Sequence, residues 1–393
     1  MIGVRRRAPD KQPRPVPARP GADERAHWIA FSLVPGLGPV GFAVLLRRHG
    51  SAAAAWAVGR RALAELPRMP GEALEAFDVL SRIGVKRTAA RTEAATQRAG
   101  GRVVTPLDAD YPRALREVEP RPAVLHVMGD AEALRTRSVA VVGTRRPSGY
   151  GLSVAIDIGD ELARAGSAVV SGLAIGIDGA AHRAALAAGA RTVAVLPSPL
   201  DRIYPPRHRA LARDIVRGGG ALVTELAVGR RVGRPDFARR NRIIAALSEA
   251  VVVVEAPDRS GALLTAAAAT ALDRELYAVP GPIDAVASRG CNRLIADQHA
   301  MIVTSVVALM HQIGLHRGSR PPSVQALSDA EGALLAHLLR RSGSIEELID
   351  RTRLDAGSVA SGLTMLEARG LVSAFGGSTF HPTLAARRLA RVV

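Results

Sequence analysis

The chain has 393 residues, of which 48% are hydrophobic, and a net charge of +17 at neutral pH. It has no apolar run long enough to cross a bilayer, no secretory signal pattern, and a single cysteine, Cys291, which excludes an internal disulfide framework. We therefore expect a cytoplasmic α/β protein of several domains whose positive charge meets a polyanion.

The N-terminal part divides into a tail and a helical segment. Residues 1–22 are rich in arginine and proline and cannot bury apolar surface, which predicts a disordered basic tail. Residues 23–95 predict short helices, and the turn Leu33-Val-Pro-Gly-Leu-Gly38 is typical of a helix-hairpin-helix or SAM-like domain. Backbone N–H groups in such a turn can meet a phosphate, but a purely structural tight turn explains the glycines equally well.

Residues 100–310 predict alternating strands and helices. The strands are short, β-branched and apolar, as in parallel sheets covered on both faces. They are expected at Ala123–Val127, Val139–Val142, Ala168–Ser171, Thr192–Leu196, Ala221–Thr224, Val251–Glu255, Leu276–Val279 and Met301–Thr304. We predict an α/β fold with an extended Rossmann-like, doubly wound, mostly parallel sheet, in which ligands bind beyond the carboxyl ends of the strands.

The C-terminal part predicts a linker at residues 317–323 and a winged helix at residues 324–385. The segment that would be its recognition helix lacks arginine, asparagine and glutamine for reading bases, which favours protein docking over duplex DNA binding. The later elements are expected as helices at Ser344–Ile349 and Gly357–Arg369, and as strands at Gly370–Val372 and Ser378–Phe380 around the wing Phe375-Gly-Gly-Ser378.

The loop after the strand Val139–Val142 carries groups that can hold an anion. Gly143 permits close approach of a ligand to the backbone, and the hydroxyls of Thr144 and Ser148 can donate hydrogen bonds. Arg145 and Arg146 can bind phosphate oxygens with two N–H groups each. A plain strand-to-helix turn with two solvated arginines is the alternative.

The second loop begins with Ser171 and Gly172 and leads into a helix that carries Asp178 and His182. These two residues are four apart and can share a helix face, but no third ligand lies within reach in the sequence. We therefore expect Asp178 to cap the helix and His182 to pack in the core, and we predict no metal site.

Two further loops follow later strands. One carries a cluster of hydrogen-bond donors beside an apolar helix. Consecutive side chains in it face different ways, so at most two or three can converge on one ligand. Its residues are Arg239, Arg240, Asn241 and Arg242. The other offers Ser260 and Gly261 at the start of the next helix, which is a further place where an anion can bind. Cys291 has no base beside it in the sequence and is expected to be structural.

Six motifs in this order resemble the DprA/Smf family: GTRRPSGYG, SGLAIGIDGAAH, LDRIYPPRH, FARRNRIIAALS, RSGALLTA and VPGPIDAVASRGCNRLI. The resemblance is dense over residues 100–305 and weaker on either side. It implies a Rossmann-like domain that binds single-stranded DNA, forms a homodimer and loads the RecA recombinase during natural transformation. It implies neither a cofactor nor a catalytic residue.

Carried onto this sequence, the resemblance and the loop chemistry predict one set of DNA-binding residues. They are Gly143, Thr144, Arg145, Arg146, Ser148, Ser171, Gly172, Arg239, Arg240, Asn241, Arg242, Ser260 and Gly261. Two positions depart from the family pattern. Ile175 stands where an arginine is usual, and Pro197 and Pro199 stiffen a loop that usually contains glycine and cysteine.

Two other functions are compatible with parts of the sequence. A nucleotide-processing enzyme of the phosphoribohydrolase type resembles P-G-G-x-G-T-x-x-E, but the nearest stretch here, Val279-Pro-Gly-Pro-Ile-Asp284, lacks the second glycine and the glutamate. A duplex-binding regulator would act through the winged helix. Because only 3% of the residues are aromatic, we expect binding to single strands to depend on phosphate contacts and on salt.

Overall fold

A computed structural model describes residues 22–315, 327–369, 371–375, 379–382 and 386. The predicted tail, apart from residue 22, and the predicted linker lie outside these residues. The described residues form two compact units, of which the first contains residues 22–131, Ser198–Arg202 and Val223–Val232, and the second contains the other described residues. Among the described residues, no helix is long and apolar enough to cross a bilayer.

The first unit contains six helices and an antiparallel pair of strands before residue 131, together with one short helix. Its bounds are α1 Ala22–Ser32, α2 Pro39–His49, α3 Ala52–Val58, α4 Arg60–Ala64, α5 Gly71–Ile83, α6 Val85–Arg98, β1 Gly101–Val104, α7 Arg113–Arg116 and β2 Leu125–Gly129. The core is aromatic, because Trp28, Phe31, Phe42 and Phe77 pack together in it. Gly36 has a φ of +76°, and a Cβ there would lie 2.8 Å from Pro70, so the turn between α1 and α2 requires glycine.

The second unit contains the predicted parallel sheet. Its strands are β3 Ser138–Val142, β4 Ala168–Ser171, β5 Thr192–Val195, the first two residues of β6 Ala221–Thr224, β7 Ala250–Val253, β8 Glu275–Ala278 and β9 Met301–Ile302, in the spatial order β6-β5-β4-β3-β7-β8-β9. The pairs β3–β4, β3–β7, β4–β5, β7–β8 and β8–β9 are parallel. Strands β4, β5 and β6 follow one another on one side of β3, and strands β7, β8 and β9 follow one another on its other side. The strand order therefore reverses between β3 and β7, which is the topological switch point.

Helices cover this sheet on both faces, and every residue from Ser138 to Val142 and from Ala250 to Val253 is therefore buried. The core joins Val139, Val141 and Val252 to Ile158 and Leu162 of the first covering helix. The helices are α8 Gly149–Arg164, α9 Ile177–Ala187, α10 Arg209–Arg217, α11 Arg234–Leu247, α12 Ala262–Ala271, α13 Arg289–Ala296 and α14 Val306–Gln312. The predicted doubly wound, mostly parallel α/β fold is confirmed.

The C-terminal elements form the predicted winged helix. They are α15 Asp329–Arg340, β10 Gly343–Ser344, α16 Ile345–Thr352, α17 Ala356–Ala368, β11 Val372–Phe375 and β12 Thr379–Pro382, with β12 between β10 and β11. Leu334, Leu348, Leu363 and Leu366 fill the core between the three helices. Residues 376–378 of the predicted wing lie outside the described residues.

Two details of the sheet differ from the sequence prediction. The sequence does not predict strand β1, because only two of its four residues, Val103 and Val104, are apolar and no alternation precedes them. The strand expected at Ala123–Val127 lies at Leu125–Gly129 instead. It pairs with β1, and this pairing sets its register.

Candidate nucleic-acid interface

The predicted loops meet at the switch point of the second unit. There the loops after β3 and β7 face each other across a cavity of about 660 Å³. In open α/β sheets this crevice is the usual ligand site. The predicted residues that line the cavity are Gly143, Thr144, Arg145, Arg146, Arg240, Asn241, Ser260 and Gly261.

The backbone of the first loop is held by close contacts with Ile177 and Glu255. A Cβ on Gly143 would lie 2.6 Å from the Ile177 side chain and 2.9 Å from the carbonyl oxygen of Glu255, so only glycine fits. The N–H of Thr144 donates to that same Glu255 oxygen at 2.7 Å. As a result, the two arginines that follow stand on a rigid turn.

Arg145 and Arg146 are exposed, and neither has an ion-pair or hydrogen-bond partner for its side chain among the described residues. The Arg145 guanidinium lies 5.7 Å from the centroid of the Phe237 ring, which is a cation–π distance. Phe237 in turn meets Tyr204 edge-on, with ring centroids 5.5 Å apart. Two donor groups are therefore available at the mouth of the cavity.

The structure gives Ser148 a different contact from the one expected. Its hydroxyl donates to Glu255 Oε1 at 2.6 Å and its N–H donates to Oε2 at 2.8 Å, while the hydroxyl oxygen accepts from Gly151 N at 3.1 Å. The N-terminus of α8 is thus already capped by Ser148 and paired with the buried carboxylate of Glu255. Sequence reasoning missed Glu255, although its position at the end of a predicted strand was a usable signal.

The second loop is held by buried groups. Ser171 is fully buried and its hydroxyl donates to Val141 O at 2.6 Å, so the hydroxyl links strand β4 to strand β3. Asp178 does not cap α9, whose N-cap is Gly176, but accepts from the N–H groups of Gly172 at 3.1 Å and Ala174 at 3.3 Å. The expectation that Asp178 caps the helix is therefore wrong, because its carboxylate turns back into the loop.

His182 is a core residue, as expected. Its Nδ1 lies 2.7 Å from Thr192 Oγ1, whose own proton goes to Val169 O, so Nδ1–H is the donor to Thr192. Complete burial lowers the pKa of His182 to about 3, which keeps the ring neutral. Among the described residues, no cluster of three or more His, Cys, Asp or Glu side chains could hold a metal ion.

The cluster predicted as the third loop lies within helix α11 instead, in its second and third turns, and Arg240 and Asn241 are both buried there. The Arg240 guanidinium donates to Gly172 O, to Val195 O at 2.7 Å and to Asn241 Oδ1 at 3.0 Å. The Asn241 amide then donates to Gly261 O at 3.1 Å. These two side chains thereby tie helix α11 to the second and fourth loops.

Burial lowers the pKa of Arg240 to about 10, and the charge of Asp178 opposes this shift. Arg240 therefore keeps its charge at neutral pH. The neighbouring Arg239 and Arg242 are half-buried, and Arg239 lies 3.8 Å from Asp236. In the fourth loop, Ser260 Oγ accepts from Ala262 N at 3.2 Å at the start of α12.

A smaller cavity of about 40 Å³ adjoins the Arg145 side chain. Ile175, 39% exposed, and Tyr204, 40% exposed, line it together with Pro197 and Phe237. Ile175 thus places an apolar side chain where the family resemblance predicts an arginine. Sequence reasoning missed the two aromatic side chains, although Tyr204 lies in the motif LDRIYPPRH and Phe237 begins the motif FARRNRIIAALS.

Cys291 is structural, as expected. It is completely buried, its Sγ lies 3.6 Å from Val253 O, and burial raises its pKa to about 12. A thiol in this state is neither a nucleophile nor a metal ligand.

Comparisons with known proteins agree with this geometry. The family model for DNA recombination-mediator protein A matches residues 102–314, and that for the DprA winged helix domain matches residues 318–378. Protein Smf of Synechocystis is 33% identical to this chain, covering 89% of it and 96% of its own length.

Two solved structures are similar as well. DNA processing protein A of Streptococcus pneumoniae superposes with a TM-score of 0.62 at 29% identity, over 75% of this chain and 99% of that one. The protein of the same name from Helicobacter pylori, solved for its single-stranded DNA binding mode, gives a TM-score of 0.51 at 28% identity, over 56% and 99% of the two chains. The chain belongs to the DprA/Smf family of DNA recombination mediators, as its motifs predicted.

Proposed function

We propose that this chain binds single-stranded DNA at the cavity between the loops after β3 and β7. The observation that carries the proposal is the pair Arg145 and Arg146, which are exposed and unpaired among the described residues and stand on a turn fixed by Glu255. Such arginines can each hold a phosphate without first breaking an ion pair or a side-chain hydrogen bond. The Helicobacter pylori relative supports the choice of a single strand over a free nucleotide.

The thirteen predicted residues divide into two groups within this proposal. Arg145 and Arg146 contact the strand directly, together with the backbone of Gly143 and Gly261. The half-buried Arg239 and Arg242 do not line the cavity, and they belong with the residues that act through the shape of the site. The others act on the DNA through the shape of the loops, because their side chains are engaged inside the protein. These are Ser148, Ser171, Arg240 and Asn241, with Gly172 giving room to the Arg240 guanidinium and Thr144 and Ser260 forming turn contacts.

We further propose, from family membership, that the protein acts in the cytoplasm as a homodimer that protects incoming DNA and passes it to the RecA recombinase in natural transformation. No catalytic step belongs to this role. The apolar side chain of Ile283, 92% exposed, is a surface that a second protein would cover. Light scattering of the purified chain tests the homodimer, and strand exchange with RecA in the presence of a single-strand binding protein tests the loading.

The DNA proposal is tested by fluorescence anisotropy with labelled oligo-dT, comparing wild type with Arg145→Ala/Arg146→Ala. We expect the variant to bind with much lower affinity and to show a salt slope that is shallower by about 1.4, which is about 0.7 for each phosphate that an arginine no longer neutralises. The matched control is Arg87→Ala/Arg91→Ala, which removes two exposed arginines from α6. Equal affinity of the wild type and the Arg145/Arg146 variant would contradict the proposal.

Two further measurements address the alternatives. Release of a base from nucleoside monophosphates by the purified protein would favour the phosphoribohydrolase hypothesis. Affinity for duplex DNA above that for a single strand of the same length would favour a regulator acting through the winged helix.

A further inference from the structure

We infer that helix α10 carries a second stretch of the DNA-binding surface, a row of three arginines that guides the single strand away from the cavity. The row consists of Arg209, Arg213 and Arg217. This inference rests on the proposed function, and it assigns a path to the part of the strand that the cavity is too small to hold.

The three arginines share one face of α10 because they are four residues apart. Each step of four turns the position by about 40° and advances it by about 6 Å, so the row spans about 12 Å along the helix. The opposite face buries Leu211 and Ile215. The packing of that face against the sheet and against α9 fixes the row towards solvent.

All three arginine side chains are exposed, and none has an ion-pair or hydrogen-bond partner among the described residues. This distinguishes them from many surface arginines of the protein, such as Arg48 and Arg60, which pair with carboxylates. The acid on α10, Asp214, lies three residues before Arg217 and about 60° around the helix from it, but it makes no ion pair with the row among the described residues. The positive charge of the row is therefore not neutralised within the described part of the protein.

The row begins next to the cavity. The ring of His208, directly before α10, lies with Nδ1 2.8 Å from Leu173 O, and a Cβ on Gly179 would lie 2.6 Å from it. The start of α10 is thus fixed against the second loop, whose Ala174 lines both cavities. Arg207, also exposed, stands between Tyr204 at the smaller cavity and Arg209.

The direction of the helix fits a path for an extended polyanion. Since α10 follows β5 in a parallel sheet, it starts at the edge of the sheet where the loops meet and runs towards the opposite edge. The chain from Tyr204 to Arg209 can span at most about 18 Å, so the first arginine of the row lies within a few nucleotides of Arg145. A strand leaving the cavity here meets one arginine in each turn of the helix.

The test compares oligo-dT of about 6 and about 20 nucleotides, which bracket the site sizes common among single-strand binders. The variant is Arg209→Gln/Arg213→Gln/Arg217→Gln, because glutamine keeps the helix propensity and removes the charge. We expect unchanged affinity for the short oligonucleotide. For the long one we expect an affinity lower by on the order of tenfold and a salt slope shallower by about 2.

The matched control is Arg87→Gln/Arg91→Gln/Arg98→Gln, which removes three exposed arginines from α6. The inference is overturned if the α10 variant binds the long strand as wild type does, if the α6 control is weakened as much, or if binding to duplex of the same length is weakened as much. Circular dichroism melting confirms that each variant is folded. If the wild type binds neither oligonucleotide, both the proposed function and this inference fail. If the Arg145/Arg146 variant binds the short strand more weakly while the α10 variant binds both strands as wild type does, only this inference fails.

Discussion

Replacing Arg240 with methionine should destabilise the second unit strongly. Methionine keeps much of the apolar stem, but it removes the donor to Gly172 O, Val195 O and Asn241 Oδ1. It also leaves the buried carboxylate of Asp178 without its positive neighbour. Removing one member of a buried charge pair typically costs about 3–5 kcal/mol, and we expect the free energy of unfolding to fall by an amount in that range.

The assay is urea unfolding of the full chain at neutral pH, followed by far-UV circular dichroism. The companion variant Asp178→Asn keeps an oxygen that can accept from Gly172 and Ala174 but removes the charge. We expect Arg240→Met to cost less in the Asp178→Asn background, with a coupling energy of about 0.5–3 kcal/mol. The pair would then be acting as a unit.

The pH dependence provides a second measurement. Burial raises the pKa of Asp178 in the folded protein, and Arg240 opposes that rise. A carboxyl whose folded pKa is raised stabilises the fold fully below its unfolded value of about 3.9, and this contribution is lost as the pH rises through the folded value. Without Arg240 the folded pKa rises further, so the deficit of Arg240→Met should shrink as the pH is lowered.

A deficit below about 1 kcal/mol, which is the size of an ordinary surface substitution or a single exposed hydrogen bond, would refute the role of Arg240 as a buried brace. Additive costs in the double variant would likewise show that Arg240 and Asp178 do not interact. DNA affinity alone does not decide the question, since removal of a brace and removal of a phosphate ligand both weaken binding.

Two further outcomes follow from the packing of single residues. Gly143→Ala should cost about 1–3 kcal/mol in urea unfolding, because the added methyl meets the backbone oxygen of Glu255, whereas Gly261→Ala, with no atom within 4 Å of the added carbon, should leave stability nearly unchanged. The Cys291 thiol should not react with a thiol-specific reagent at pH 8 in the native protein but should react at once in urea, because burial raises its pKa to about 12; rapid labelling of the native protein would contradict the burial.

The sheet could be predicted from the sequence because fully buried parallel strands appear as short, continuous runs of mainly apolar residues, as in Ala168–Ser171 and Ala221–Thr224. The edge where the site lies followed from topology, since loops after parallel strands meet at one edge. Which side chains point into the cavity could not be predicted. Arg239 and Arg240 are neighbours in sequence, but about 100° of helix rotation separates them, and only the packing of α11 decides that Arg240 is the buried one.

The charges at the proposed DNA site divide according to burial, and this division explains how two carboxylates can stand beneath a site proposed for a polyanion. Asp178 and Glu255 are buried beneath the loops, where one lies beside Arg240 and the other accepts from Ser148. Both carboxylates are thereby engaged by groups inside the protein, and both hold the loops in place. Arg145 and Arg146, which have no such partner among the described residues, keep their positive charge towards the solvent. Affinity for DNA should therefore follow the exposed arginines, and the order of the site should follow the buried pairs.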